Sequence, residues 1–122
     1  VLWSPPGGEF AAQLDAHPTA LLCGAFDPLH EGHRRLRDVA EQILGGEVGY
    51  ELSAYNVDKP PLEHEHLTSR CRQFTDELLA VTAAATFLEK ARLFPQMTFV
   101  VGVDTAVRII NARFYGHSSA QM

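Results

Sequence analysis

The stretch Gly24-Ala25-Phe26-Asp27-Pro28-Leu29-His30-Glu31-Gly32-His33 constrains this chain more than any other. It follows a short apolar run, Ala20-Leu21-Leu22-Cys23, of the kind produced by a strand buried on both faces. Gly24 lets a ligand approach the backbone with no side chain in the way, and Asp27-Pro28 makes a rigid turn that ends the strand. Gly32 then sits between two imidazoles where a helix begins. The free N–H groups and the dipole at a helix start favour a bound phosphate. Histidines on that turn donate hydrogen bonds to phosphoryl oxygens, most strongly when protonated. The stretch therefore predicts an anion-binding turn between a first strand and a first helix.

The remaining pattern extends this unit into an α/β domain. Leu36, Val39, Ala40, Ile43 and Leu44 recur at helical spacing and stop at Gly45-Gly46. Val48 to Tyr55 suits a second strand. Leu67, Cys71, Phe74 and Leu78 fall at i, i+4, i+7 and i+11, which predicts a second helix. Thr86 and Glu89 form a capping box ahead of Phe87, Leu88, Ala91 and Phe94, with Pro95 as the stop. Thr98 to Val101 reads as a strand, and Asp104 can cap a last helix carrying Val107 and Ile110. This order predicts a Rossmann-like open parallel sheet flanked by helices, incomplete at its C-terminus. In such sheets ligands bind beyond the carboxyl ends of the strands, here just after Phe26, Tyr55 and Val101.

Boundaries follow from composition shifts. Residues 1–19, with Pro5, Pro6, Gly7, Gly8 and Pro18, read as a leader or linker that permits a fusion domain. The domain is expected over residues 20–116, with 117–122 as a tail or truncation point. The start at Val1 and the unstructured pattern before Met122 suggest a cut at either end.

Charge and cysteine usage exclude several function classes. Ten Lys and Arg against fifteen Asp and Glu give a net charge of -5, without the basic stripe that nucleic-acid binding needs. No apolar run approaches the roughly 18 residues of a membrane span. Cys23 and Cys71 belong to no Cys-x-x-Cys pair and are expected to be buried thiols in a reducing cytoplasm. Glu63-His64-Glu65-His66 alternates at a helix start in the manner of solvated residues, and no metal site is expected there.

At Gly24, Phe26, Asp27, Pro28, His30, Gly32 and His33 the sequence resembles the nucleotidylyltransferase superfamily, whose signature is Gly-x-Phe-Asp/Asn-Pro-x-His-x-Gly-His. Asn56-Val57-Asp58-Lys59-Pro60-Pro61-Leu62 followed by Arg70 looks like the second-strand segment of the nicotinate and nicotinamide mononucleotide adenylyltransferases. Val101-Gly102-Val103-Asp104 is similar to that family's later Gly-x-Asp turn. The resemblance runs over residues 20–115. It departs from the family at one place: no stretch matches Ile-Ser-Ser-Thr-x-x-Arg, the segment that grips the ATP phosphates.

The resemblance implies transfer of AMP from ATP, carried with Mg²⁺, to a small phosphate-bearing acceptor, with release of pyrophosphate. It implies His30 at the α-phosphate and His33 at the leaving phosphates. Gly24, Ala25, Phe26, Asp27, Gly32, Gly102 and Asp104 would line the nucleotide, and Lys59 and Arg70 would meet the acceptor. Simpler roles stand beside these: Asp27 as turn residue, Asp104 as helix cap, Lys59 as solvated loop, and Arg70 as an exposed helix residue paired with an acid. Three alternatives carry different chemistry: the same fold with phosphopantetheine or CTP, a nucleotide-binding module without turnover, and a metal-dependent hydrolase. The oligomeric state is open, with a homo-oligomer permitted.

Overall fold

A computed structural model of the chain describes residues 1–7, 10–14, 16–54, 64–103 and 105–107. Five strands, β1 (Leu2–Ser4), β2 (Ala20–Gly24), β3 (Val48–Ser53), β4 (Leu79–Thr82) and β5 (Thr98–Val100), form one sheet in the order β1-β4-β3-β2-β5. β2, β3, β4 and β5 pair in parallel, and β1 joins the edge antiparallel through Leu2↔Val81. The helices are α1 (Glu31–Leu44), α2 (His64–Cys71) and α3 (Phe87–Leu93). The architecture is α/β with a mostly parallel sheet and flanking helices, compatible with a Rossmann-like fold.

The strand order reverses at β2. After β2 the chain crosses to β3 and then β4 on one side, and returns to β5 on the other. Leu22 pairs with Tyr50 and with Val100, so the loops leaving β2 and β5 emerge at the same end of the sheet. Sheets of this kind bind ligands at that reversal point. It is where the stretch from Gly24 to His33 lies.

Alternation along the strands divides the core into two clusters. Ala20, Leu22, Val48, Tyr50, Leu52 and Leu79 face one side, and Phe26, Ala40 and Phe74 pack on them. Leu21, Leu78 and Ala80 face the other, with Trp3 and Phe94. Glu51 alternates onto this second face and is 0% exposed. Its Oε1 meets Lys90 Nζ at 2.7 Å, and its Oε2 accepts from the Thr82 hydroxyl at 2.6 Å. Cys23 is its cross-strand partner, and burial pushes the thiol up to about 12.

Several sequence expectations are corrected here. The expected leader contributes β1, and Trp3 is 3% exposed between His17 and Phe94. The second helix stops at Cys71, where Phe74 N–H donates to the Cys71 carbonyl in a tighter turn. Phe74 and Leu78 are buried as expected, but outside any helix. The run Leu79-Ala80-Val81-Thr82, absent from the expected order, supplies β4. α1 begins at Glu31, five residues before its first apolar position, and of its expected apolar face only Ala40 is buried while Ile43 is 77% exposed. On α3, Leu88 is exposed and Lys90 buried, because Glu51 stands opposite. Cys71, expected in the core, is half-buried. Tyr55 and the cap at Asp104 lie outside the described residues, although Ala106 N–H donates to the Gly102 carbonyl at 3.0 Å.

Candidate functional site

The turn after β2 is shaped by Phe26. Its φ of 50° is in the left-handed region, which for a residue with a side chain costs on the order of 1–3 kcal/mol. Burial of the ring offsets that cost: Phe26 is 1% exposed and packs edge-on against His33, Tyr50 and Phe74, with centroids 4.9, 5.3 and 5.2 Å away. The ring folds back over Gly24, where an added Cβ would stand 3.0 Å from its Cζ. Gly24 is small because Phe26 occupies the space above it. The side chain of Phe26 is thus core, and it serves the site by placing the backbone around it.

His30 is the N-cap of α1, in extended conformation, and its Nδ1 accepts from Gly32 N–H at 3.0 Å. His33 Nδ1 accepts from His30 N–H at 3.1 Å. The two residues cap the helix reciprocally, with imidazoles in the places a capping box gives to a hydroxyl and a carboxylate. A neutral imidazole that accepts at Nδ1 carries its proton at Nε2. Both rings therefore present an Nε2–H donor away from the helix backbone. They stack with centroids 3.8 Å apart and planes 23° apart. A Cβ on Gly32 would lie 2.8 Å from His30 Cε1, so glycine at this position is what lets the His30 ring lie over the first turn.

Electrostatics favour the neutral form of one member. His33 is held below the ordinary histidine value by partial burial, then by His30 and by Arg34 beside it. Arg34 is anchored to the buried Glu77 at 3.3 Å and lies 3.6 Å from Glu31. The first turn of α1 thus gathers two imidazole donors and the helix N-terminus, groups suited to an anion, while the Arg34 guanidinium is taken up by Glu31 and Glu77.

The turn is fastened to the end of α2 by two residues. Arg70 donates to Asp27 Oδ2 at 3.2 Å and to the Ala25 carbonyl at 3.5 Å. Gln73, just past the helix, accepts from Leu29 N–H at 2.7 Å through Oε1 and donates to the Phe26 carbonyl at 2.7 Å through Nε2. Gln73 was not singled out in the sequence. Its one visible signal is a polar side chain between the half-buried Cys71 and the buried Phe74.

Of the residues expected to line the nucleotide, Gly24, Ala25, Phe26, Asp27, Gly32, His30 and His33 come together in this one turn. Gly102 follows β5 at the same end of the sheet, with nothing within 4 Å of where a Cβ would stand. Arg70 reaches the turn, but through Asp27. Lys59 and Asp104 lie outside the described residues. Among the described residues no group of three or more His, Cys, Asp or Glu side chains could hold a metal ion, and no helix is long and apolar enough to cross a membrane. No protein-family model, curated protein or solved structure matches the chain.

Proposed function

We propose that this chain is a nucleotidylyltransferase that moves AMP from MgATP to a small phosphate-bearing acceptor, with nicotinate or nicotinamide mononucleotide as the acceptor of choice. The observation that carries the reading is the His30–His33 pair: two stacked imidazoles with Nδ1 occupied by backbone N–H groups, leaving two Nε2 donors at the point where the strand order reverses. A phosphate oxygen of the acceptor attacks the α-phosphorus of ATP, the bond to the bridging oxygen of the β-phosphate breaks, and pyrophosphate departs with Mg²⁺. The protein provides no nucleophile in this scheme. It orients the two substrates and stabilises charge building on phosphoryl oxygens. His30 donates to the α-phosphate and His33 to the departing phosphates. Gly102, with nothing within 4 Å of where a Cβ would stand, leaves the backbone open to the nucleoside.

Pyrophosphate release from MgATP, measured in parallel with nicotinate mononucleotide, nicotinamide mononucleotide and phosphopantetheine, tests the reading. Release with one pyridine mononucleotide, lowered about 100- to 1,000-fold in His30→Ala as expected for one lost preorganised donor, is the result predicted. Binding of ATP with no release for any acceptor would leave a nucleotide-binding role and overturn the transferase.

A further inference from the structure

On the opposite flank of α2 from the phosphate turn, a cavity of about 480 Å³ opens between that helix and the sheet edge. Leu2 and Val81, paired across β1 and β4, line it together with Leu67 and Cys71 of α2 and with Phe10. Its polar lining is Thr68 and Arg72. The size falls within the roughly 300–1,000 Å³ typical of small-molecule sites, and the lining has their usual character, apolar with a few polar groups. Leu2 and Phe10 are each half exposed, which leaves apolar surface in contact with water.

Arg72 sets the chemistry of the occupant. Arg34, Arg37 and Arg70 each hold a carboxylate, whereas the exposed Arg35, Arg72 and Arg92 form no ion pair among the described residues, and of these three only Arg72 lines the cavity. A guanidinium with open donors beside an apolar cavity matches a ligand with one anionic end and an apolar body. Guanidinium and carboxylate pair in a two-pronged geometry that an alcohol cannot reproduce. We propose that this cavity is a second ligand site, separate from the turn after β2, for a free medium-chain aliphatic monocarboxylate. The chain lies against Leu2, Leu67 and Val81, and the carboxylate is held by Arg72.

Cys71 provides the readout because its thiol lines the cavity, while Cys23 is buried within the sheet with its thiol pushed up to about 12 and serves as the unreactive control. Alkylation by iodoacetamide, located by peptide mass spectrometry, is followed with monomeric octanoate or octanol. Octanoate is expected to slow alkylation of Cys71 at least tenfold at saturation, and octanol to need at least tenfold higher concentration. Arg72→Gln should abolish that preference, and Arg72→Lys should retain part of it. His30→Ala should leave protection unchanged, which separates this site from the transferase reading. Burial pushes the Cys71 thiol up too, so alkylation is run at alkaline pH, and the proposal is overturned by absent or equal protection from the two compounds, or by a preference that survives Arg72→Gln. Loss of protection in His30→Ala would place the octanoate in the phosphate turn instead and overturn it equally.

Discussion

His33 Nδ1 accepts the backbone N–H of His30, while His30 Nδ1 accepts the N–H of Gly32, so each histidine gives its inner nitrogen to the helix start and keeps its outer one for a ligand. Capping and the proposed phosphate binding thereby depend on one pair of rings. A substitution that disturbs the cap disturbs the donors.

Gly32→Ala isolates this dependence. Alanine raises helix propensity by up to about 1 kcal/mol, which offsets a lost His30 cap worth about 0.5–2 kcal/mol. The new Cβ would stand 2.8 Å from His30 Cε1 and must push the imidazole aside. We expect little change in thermal midpoint and at least a tenfold weaker affinity for ATP by calorimetry. Unchanged affinity would separate the His30 position from nucleotide binding.

Acidification should act through His33. Its value in the folded chain lies below the ordinary one, so the unfolded chain takes up the proton first as pH falls. Stability from this group is therefore complete above the usual histidine value, near 6.5, and declines as pH drops from there toward the lower folded value. Protonation also fills Nδ1 and ends its acceptance of His30 N–H. Denaturant midpoints measured from pH 7.5 to 5 should fall more in the native protein than in His33→Asn. Parallel curves would contradict the assignment.

Gln73→Leu should loosen the phosphate turn. It leaves the Phe26 carbonyl and the Leu29 N–H without their side-chain partner, at a cost of about 1–3 kcal/mol for each group that finds no substitute. Urea unfolding should show the loss. Gln73→Glu keeps an acceptor for Leu29 but no donor for Phe26, and an intermediate loss is expected.

The buried Lys90–Glu51 pair predicts strong coupling. Removing Lys90 alone, as in Lys90→Met, strands the Glu51 carboxylate inside the sheet and should cost about 3–5 kcal/mol. Lys90→Met combined with Glu51→Gln should recover much of that, since no buried charge then lacks its partner. A double-mutant cycle by chemical denaturation reads the coupling directly, and additive effects would show that the pair contributes nothing as a pair.

The geometry of the turn after β2 was legible because its constraints are local. Glycines, a proline and two histidines at fixed spacing specify a strand end, a turn and a helix start, and the turn is built from those residues. β2, β5 and the Thr86 cap were legible for the same reason, although the expected capping box is only half formed, since the Glu89 carboxylate accepts from Ala85 N–H and not from Thr86. β4 was hidden because Leu78, the last member of a helical period, adjoins the strand's own apolar run. β1 was hidden because its pairing partner lies more than seventy residues away and Pro5 and Pro6 follow it. The burial of Lys90 and Glu51 carries no local signal, since a charge is buried only where its partner is brought to it, and β3 and α3 meet only in the folded sheet. Gln73 carries no local signal for the two backbone groups it holds.

The most direct test of the account is long-range ¹⁵N–¹H NMR of the imidazoles at pH 8, before and after addition of MgATP. Both His30 and His33 are predicted to show the Nε2–H tautomer in the free protein, and both Nε2 resonances should shift with MgATP but not with adenosine. An Nδ1–H tautomer at either residue, or resonances indifferent to the triphosphate, would contradict the claim that this pair is built to hold phosphate.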